Sequence, residues 1–506
     1  MSGAQPVCLP VGGCLPLAEL PRLDYERFSR LLREAVQGGA RVVSYFARPE
    51  TDGLTLYAVL LADGDGRIAL LRTTLGESFS SLSPELPQLQ LFEREIAEQY
   101  GVRPEGHPWL KPVRFHAGWT GAPDVWQREA GRHPLVGDMA YYRVAGDEIH
   151  EVAVGPVHAG VIEPGHFRFQ CHGEEVLHLE ISLGYQHRAI EKILRGGPHP
   201  ATVYQMETAA GDTTIGHTWA YAQLLESLAG VQVPQRAQVI RAIGLELERL
   251  ANHVGDVGAL AGDVGFLPTS SFCGRLRGDY LNLSAEICGS RFGRGLVRPG
   301  GVSFDLEDAR IATLQQRLKV LEPETCGAID LCFDSPSVLA RFEGIGTVSA
   351  QDATALGLVG VAARACGLAR DLRQHLVPAV WTAAFAQPVL EEDGDVYARG
   401  NVRRREIVAS LALLGYFLDQ LPAGDTRVPV RELAADSLAV SCCEGWRGEV
   451  VHAAITDRDG RIDRYKIVDP SFHNWSGLAL ALRGQQISDF PLCNKSFNLS
   501  YCGFDL

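Results

Sequence analysis

No run of this 506-residue chain is long and apolar enough to span a bilayer; the best candidate, Ile407 to Leu418, is too short and is interrupted by Ser410 and Gly415. Positive charge is also scarce, with 47 Lys and Arg against 61 Asp and Glu. The formal charge of -14 leaves no generally basic face for nucleic acid or for adhesion to an anionic membrane. The 12 cysteines are scattered, Cys442 and Cys443 being the one adjacent pair, so no CxxC or zinc spacing exists. The opening MSGAQPVCLPVGGCLPL lacks the basic segment and apolar core of a secretory signal. A cytoplasmic protein with reduced thiols is expected. Internal repeats and low-complexity tracts are missing as well.

What the chain does have is 46% hydrophobic residues over a length that one core does not usually organise, so two or more domains are expected. The first, residues 1–115, reads as a small α+β domain. LDYERFSRLLREAVQGG has helical character, and RVVSYFARP, LTLYAVLLAD and RIALLRTT are apolar strand candidates, the last two joined by the hairpin signal Gly64-Asp65-Gly66. Leu91, Ile96 and Tyr100 mark one face of a short helix that Gly101 stops. Residues 116–150, with Gly118, Gly121, Pro123 and Pro134, form a linker, and limited proteolysis is expected to cut there. Residues 151–506 read as mainly helical with a β-hairpin layer. Val239, Ile243, Leu247, Leu250 and Val254 recur on one helix face behind Pro234, and Thr218, Ala222, Leu225 and Ala229 mark a preceding helix that ends near Gly230.

Four stretches carry a resemblance. FEREIAEQYGVRPEGHPWLKPV, with Glu93, Arg94, Glu95, Tyr100, Gly101, Gly106, His107 and Pro108, is similar to the 30-kilodalton subunit of respiratory complex I. GPVHAGVIEPGHFRFQCHGEEVLHLEISLGYQHRAIEKIL, VPQRAQVIRAIGLELERLANHVGDVG and the closing IVDPSFHNWSGLALALRGQQISDFPLCNKSFNLSYCGFDL resemble the 49-kilodalton subunit and the large subunits of group 4, complex I-related hydrogenases. The order is collinear over most of the chain, as in the fused subunits of the hydrogenase-4 and formate hydrogenlyase branch. His107, before a proline, is read as a turn residue rather than a chemical group.

Such hydrogenases hold nickel with four thiolates, because low-potential metal chemistry needs soft anionic donors. Laid over their motifs, Ala210 and Thr213 occupy the first pair of ligand positions, with Gly211 and Asp212 between them, and Ser500 and Gly503 occupy the second. Nickel is therefore not expected, nor hydrogen turnover, and Cys502, one residue out of place, reads as a buried apolar residue. An extension of the kind that maturation proteases remove is not expected after Leu506. The two polar partners that the complex I quinone headgroup uses are also replaced, by Ile162 and Gly211. His158 survives as the first histidine of that hairpin motif and, with His217, is a candidate for proton transfer. Asp263 matches the aspartate that pairs with the missing histidine, and without a cationic partner it would tend to protonate and relay protons.

Glu163 keeps the hairpin glutamate that the resemblance places on a proton route; the alternative is a solvated hairpin-tip carboxylate held by His166 or Arg168. Glu207, Asp212 and His217 flank the vacated pocket, where carboxylates and an imidazole would suit a harder metal or water, while His217 on a Gly/Ala helix also reads as a packed core histidine. Glu248, His253, Asp371, Arg373 and the run Arg403 to Glu406 are read first as contacts between helices or between subunits and second as a proton path, with the adjacent arginines forming a solvated face. The resemblance implies a peripheral subunit on the cytoplasmic side of the cell membrane. Its partners would be an iron-sulfur small subunit holding a 4Fe-4S cluster and antiporter-like membrane subunits, with quinone as a candidate acceptor, no nucleic acid and no cofactor bound by this chain. A redox-inert, proton-relaying coupling subunit is the alternative, and an active nickel-iron hydrogenase is opposed by the missing thiolates.

Overall fold

The computed structural model describes residues 5–64, 66–121, 125–126, 135–158, 163–374 and 387–506. The helix Tyr25–Gln37 starts where Asp24 accepts a hydrogen bond from Arg27 N at 2.8 Å. Behind it lies a sheet in which Val7–Pro10, Arg67–Leu75, Gly53–Ala62 and Ala40–Glu50 are neighbours in that order, with Arg22–Leu23 added to Arg67–Leu75. The hairpin read at Gly64 to Gly66 joins Ala62 to its partner Arg67. The helix Gln90–Tyr100 ends at Gly101, whose φ of 70° is the left-handed cap that only glycine adopts cheaply.

Two features differ from the division expected at residue 115. Gly13–Pro16 leaves the N-terminal sheet and pairs with Ser437–Gly445, Leu15 facing Leu438. The edge strand Ala40–Glu50 also packs on the C-terminal half, where Arg48 pairs with Asp463 at 2.6 Å and Arg41 with Glu449 at 2.5 Å. The N-terminal unit is thus stitched to the rest by buried and half-buried ionic contacts.

The large region contains the expected hairpin layer, Ile149–Val154, His166–His172 and Glu175–Ser182, the first strand beginning inside the stretch read as linker. It also contains a second sheet that the mainly helical reading lacked: Ile462–Val468, Gly448–Thr456, Ser437–Gly445 and Gly13–Pro16, in that order. Its central strands are buried at every position, so SLAVSCCEG and GEVVHAAIT show none of the alternation that marks a half-exposed strand. Around this sheet run the helices Thr214–Leu228, Gln235–Asp263, Leu267–Cys288, Asp308–Phe333 and Val396–Asp419. Gln235–Asp263 is buried on nearly all sides, and Val239, Ile243, Leu247, Leu250 and Val254 are all in the core, as the periodicity required. Ile407 to Leu418 lies within Val396–Asp419, and among the described residues no helix is long and apolar enough to cross a membrane.

Candidate functional site

The loop before the helix Thr214–Leu228 and the loop before the C-terminal helix Tyr501–Asp505 bring the four former ligand positions into one buried region. Ala210, Thr213, Ser500 and Gly503 are all buried. Ser500 Oγ caps the last helix, accepting from Gly503 N at 2.9 Å, while Ser500 N donates to Ser471 Oγ at 2.8 Å. A side chain at Gly503 would have its Cβ 2.6 Å from the Asp469 carboxyl carbon, so this position is closed to a thiolate unless Asp469 moves. Asp212 is clamped bidentately by Arg447 at 2.5 and 2.7 Å, and the same guanidinium lies 3.9 Å over the Trp446 ring and donates to Asn498 O. Glu207 accepts from Arg298 Nη1 at 2.7 Å and Gly295 N at 2.8 Å. Both carboxylates proposed to replace the lost thiolates are therefore engaged by arginines, which corrects that expectation. Among the described residues no group of three or more His, Cys, Asp and Glu side chains is placed to hold a metal, and the donors present do not fit nickel.

Glu163 is held neither by His166 nor by Arg168, which bond to Gly155 O and Glu151 instead. Its carboxylate reaches across to the C-terminal loop, accepting Cys502 N at 3.0 Å and the Cys502 thiol at 3.4 Å. Cys502 also meets Ser500 Oγ at 3.4 Å. Burial, helped by Glu163, pushes its thiol pKa up, so the sulfur is a proton-bearing donor. His158 lies beside the Phe167 ring at 6.0 Å, and among the described residues its Nε2 has no hydrogen-bond partner. Asp263 has the cationic partner the sequence did not reveal, Lys495, so the argument for a lone, protonating aspartate falls. Ile162 lies outside the described residues.

His217 is fully buried and is the hinge of a side-chain chain. Its Nε2 meets Asp469 Oδ2 at 3.0 Å, its Nδ1 meets His452 Nε2 at 3.1 Å, and His452 Nδ1 meets Tyr465 Oη at 2.7 Å. One arrangement of donors satisfies all three bonds: Tyr465 donates to His452, His452 to His217 and His217 to Asp469. The aspartate stays below its ordinary pKa against the opposing effect of burial, because His217 bonds to it. Burial, reinforced by His217, pushes His452 far below the usual imidazole range. The wire ends under Gly503, at the vacated pocket. Asp469, His452, Tyr465 and Arg447 were all missed from sequence, and only Asp469-Pro470, a helix-start signal, was visible there.

Around the pocket, Glu248 caps Thr214–Leu228 by accepting Ile215 N at 2.7 Å and Gly216 N at 3.3 Å, and His253 Nε2 donates to Glu406 at 2.7 Å. The solvated arginine face expected at Arg403 to Arg405 is only partly so: Arg405 is exposed, but Arg403 is buried against Asp256 at 2.7 Å and Glu406 is buried too. A helix face is decided by what packs on it, which a run of charges does not disclose.

These groups set a pH dependence. Burial raises Glu248 to about 8, Glu444 to about 7 and Asp505 to about 6, and their stabilising contribution is lost as pH rises through those values. Burial lowers His107, His187 and His253 to about 4 and His473 to about 3; their contribution is present above the ordinary imidazole value of 6.5 and lost on acidification. Urea midpoints are expected to be highest near about pH 6.5 to 7 and lower at both about pH 5 and about pH 9. A midpoint that keeps rising to about pH 9 would contradict the buried carboxyl assignments.

Comparison with known proteins finds relatives along most of the chain. The family model described as "Respiratory-chain NADH dehydrogenase, 30 Kd subunit" matches residues 19–128, and that described as "Respiratory-chain NADH dehydrogenase, 49 Kd subunit" matches residues 263–438. Formate hydrogenlyase subunit 5 of Escherichia coli is 30% identical over 443 residues, covering 84% of this chain and 76% of that protein. The carbon monoxide-induced hydrogenase of Rhodospirillum rubrum is 33% identical over 352 residues, 69% of this chain and 97% of the relative. The C/D subunit of the NADH-quinone oxidoreductase of Gluconacetobacter diazotrophicus is 27% identical over 460 residues, 81% of this chain and 76% of the relative. A fused arrangement of 30 Kd-like and 49 Kd-like segments, with a coverage of 84% of this chain by the first of these relatives, places the chain in the family of complex I-related hydrogenase and NADH-quinone oxidoreductase subunits.

Proposed function

We propose that this chain is a peripheral subunit of a membrane-bound, complex I-like oxidoreductase that works without nickel, passing electrons from a 4Fe-4S cluster of a partner small subunit toward quinone or another acceptor while protons or sodium ions move through antiporter-like membrane subunits. The observation that carries this reading is Glu163. With non-thiolate residues at all four former ligand positions, its carboxylate still reaches into the pocket and bonds Cys502. The buried wire from Tyr465 to Asp469 meets the same pocket from the opposite loop. The two elements supply what reduction of a carbonyl acceptor needs from protein: a carboxyl able to give a proton and a path along which a proton is replaced. His158, with an unpartnered Nε2, is a further donor or acceptor for such a ligand.

A redox-inert coupling subunit, in which the same groups only relay protons between the partner and the membrane arm, is the second reading. It is favoured by the closed position at Gly503 and by the engagement of Asp212 and Glu207. Reduction of a quinone analogue by the purified complex separates the two. In either case elemental analysis is expected to find no stoichiometric nickel and gas measurements no hydrogen turnover; about one nickel per chain would overturn both readings.

A further inference from the structure

Beside the vacated pocket, the guanidiniums of Arg249, Arg364 and Arg373 share one buried cluster with the carboxylates of Glu246, Asp371, Glu406 and Glu444, each residue at most 4% exposed. Arg364 reaches Glu406 and Glu444 at 2.8 Å each, Arg373 reaches Asp371 at 2.6 Å and Glu246 at 3.3 Å, and Arg249 reaches Glu246 at 3.3 Å. His253 does not supply the missing positive charge. Its Nε2 donates to Glu406, its Nδ1 has no hydrogen-bond partner, and burial holds its pKa at about 4. Among the described residues the cluster therefore holds more carboxylates than cations, and an uncompensated charge in a dry interior is costly enough to be removed by taking up a proton.

The members are not equal candidates for that proton. Glu406 is kept ionised by Arg364 and His253 in spite of burial, and Asp371 by Arg373 and Arg364. Glu444 has one strong bond, from Arg364 Nη1, and a weak one from Leu372 N at 3.2 Å. It also stands at the wall of a cavity of about 390 Å³ lined in part by Cys14, Gln223, Glu226, Arg373 and Cys443. Among the described residues, charged groups face it from several elements. Arg249 and Glu246 come from the helix Gln235–Asp263, Arg364 from Gly360–Arg364, and Asp371 and Arg373 from the turn at Leu372–Gln374. Glu406 comes from Val396–Asp419, and Glu449, its own partner being Arg41, lies opposite on the neighbouring strand. Across the cavity Glu226 is matched by Arg241 at 2.6 Å.

We propose that Glu444 is a proton-exchange site: its carboxylate takes a solvent proton that reaches it as hydronium through the cavity, leaving neutral water, and holds it as the charge-balancing member of the buried cluster. Burial and the adjacent Asp371 raise its pKa to about 7, where loading and unloading are both accessible. The cluster adjoins the vacated pocket, since the His253 ring packs edge-on to Trp446 at 6.2 Å and Arg447, stacked on that indole, binds Asp212. A change of charge at the pocket is thereby matched by proton release or uptake at the cavity. This role rests on the proton-coupled reading above, but its test does not need turnover.

The test is an infrared difference titration of the purified complex across neutral pH, wild type minus Glu444→Gln, in which the bands of Glu248 and Asp505 cancel. The expected result is a protonated-carboxyl C=O band that grows on acidification with a midpoint of about 7 and is missing in the variant. A wild-type band absent near neutrality, or one that persists in Glu444→Gln, overturns the proposal. If Glu444→Gln fails to assemble, Glu444→Asp should keep the band with a shifted midpoint, and an unshifted band there overturns it equally. The band should also persist in Glu163→Gln. Turnover unchanged in Glu163→Gln with the Glu444 band intact would sink the proton-coupled reading and leave the titration standing.

Discussion

Glu163→Gln is expected to leave the complex assembled and to lower its ion-coupled turnover by about 10²-fold or more, the usual cost of removing a general acid or base. The geometry makes this a clean substitution. A glutamine oxygen still accepts the Cys502 N–H now bonded at 3.0 Å, and the amide occupies nearly the same volume. What disappears is the carboxyl group. Glu163→Asp, one methylene shorter, draws the carboxyl back from Cys502 but keeps its acidity, and should retain part of the activity with an altered pH profile. Cys502→Ser keeps a donor to Glu163 and should be milder than either. Steady-state turnover, ion uptake into vesicles and native-gel assembly measure the three. Full coupling in assembled Glu163→Gln would assign the carboxylate to anchoring the C-terminal loop alone.

Lys466→Ala is expected to cost about 3–5 kcal/mol of stability, as loss of one partner of a buried ion cluster does. Lys466 Nζ is fully buried, with Glu95 oxygens at 2.7 and 2.8 Å and Glu191 Oε1 at 3.1 Å. Arg114 and Arg464 also serve these carboxylates, from their own positions on Glu95 and Glu191. Lys466→Met, which keeps the volume but not the charge, should be nearly as damaging, and adding Glu95→Gln should recover part of the loss because it removes the stranded charge. Urea unfolding is the measurement; an unchanged midpoint in Lys466→Met would show the cluster to be energetically idle. Since Glu95 belongs to the helix Gln90–Tyr100 and Lys466 to the strand Ile462–Val468, the damage should fall on the junction between the N-terminal unit and the second sheet. A nick in residues 116–150 should accordingly leave the two pieces bound together.

Much of this was legible in the residues. The stop at Gly101, the hairpin across Gly64, and the core face of Gln235–Asp263 follow from local rules, since a left-handed cap, a tight turn and a helical period each write themselves into a few adjacent positions. The composition of the pocket was equally local: Ala210, Thr213, Ser500 and Gly503 hold no thiolate in any fold. Ser437–Gly445 and Gly448–Thr456 were not legible, because strands buried on both faces lose the alternation that would announce them. The partners of charged groups were hidden for a related reason. Lys495 is 232 residues from Asp263, Arg447 is 235 from Asp212, and Cys502 is 339 from Glu163.

The sequence by itself determined which chemistry this protein lacks, because a missing soft donor cannot be restored by folding, and it determined the family through collinear motifs. Only the tertiary structure decided which of the remaining polar groups are free to act. Asp263, Asp212 and Glu207 are consumed by Lys495, Arg447 and Arg298, whereas Glu163 is aimed at Cys502, His217 is wired between Asp469 and His452, and Glu444 is left one cation short. The physical reason is that a side chain's reactivity depends on burial and on the charges within a few ångströms, and those are supplied by parts of the chain hundreds of residues away.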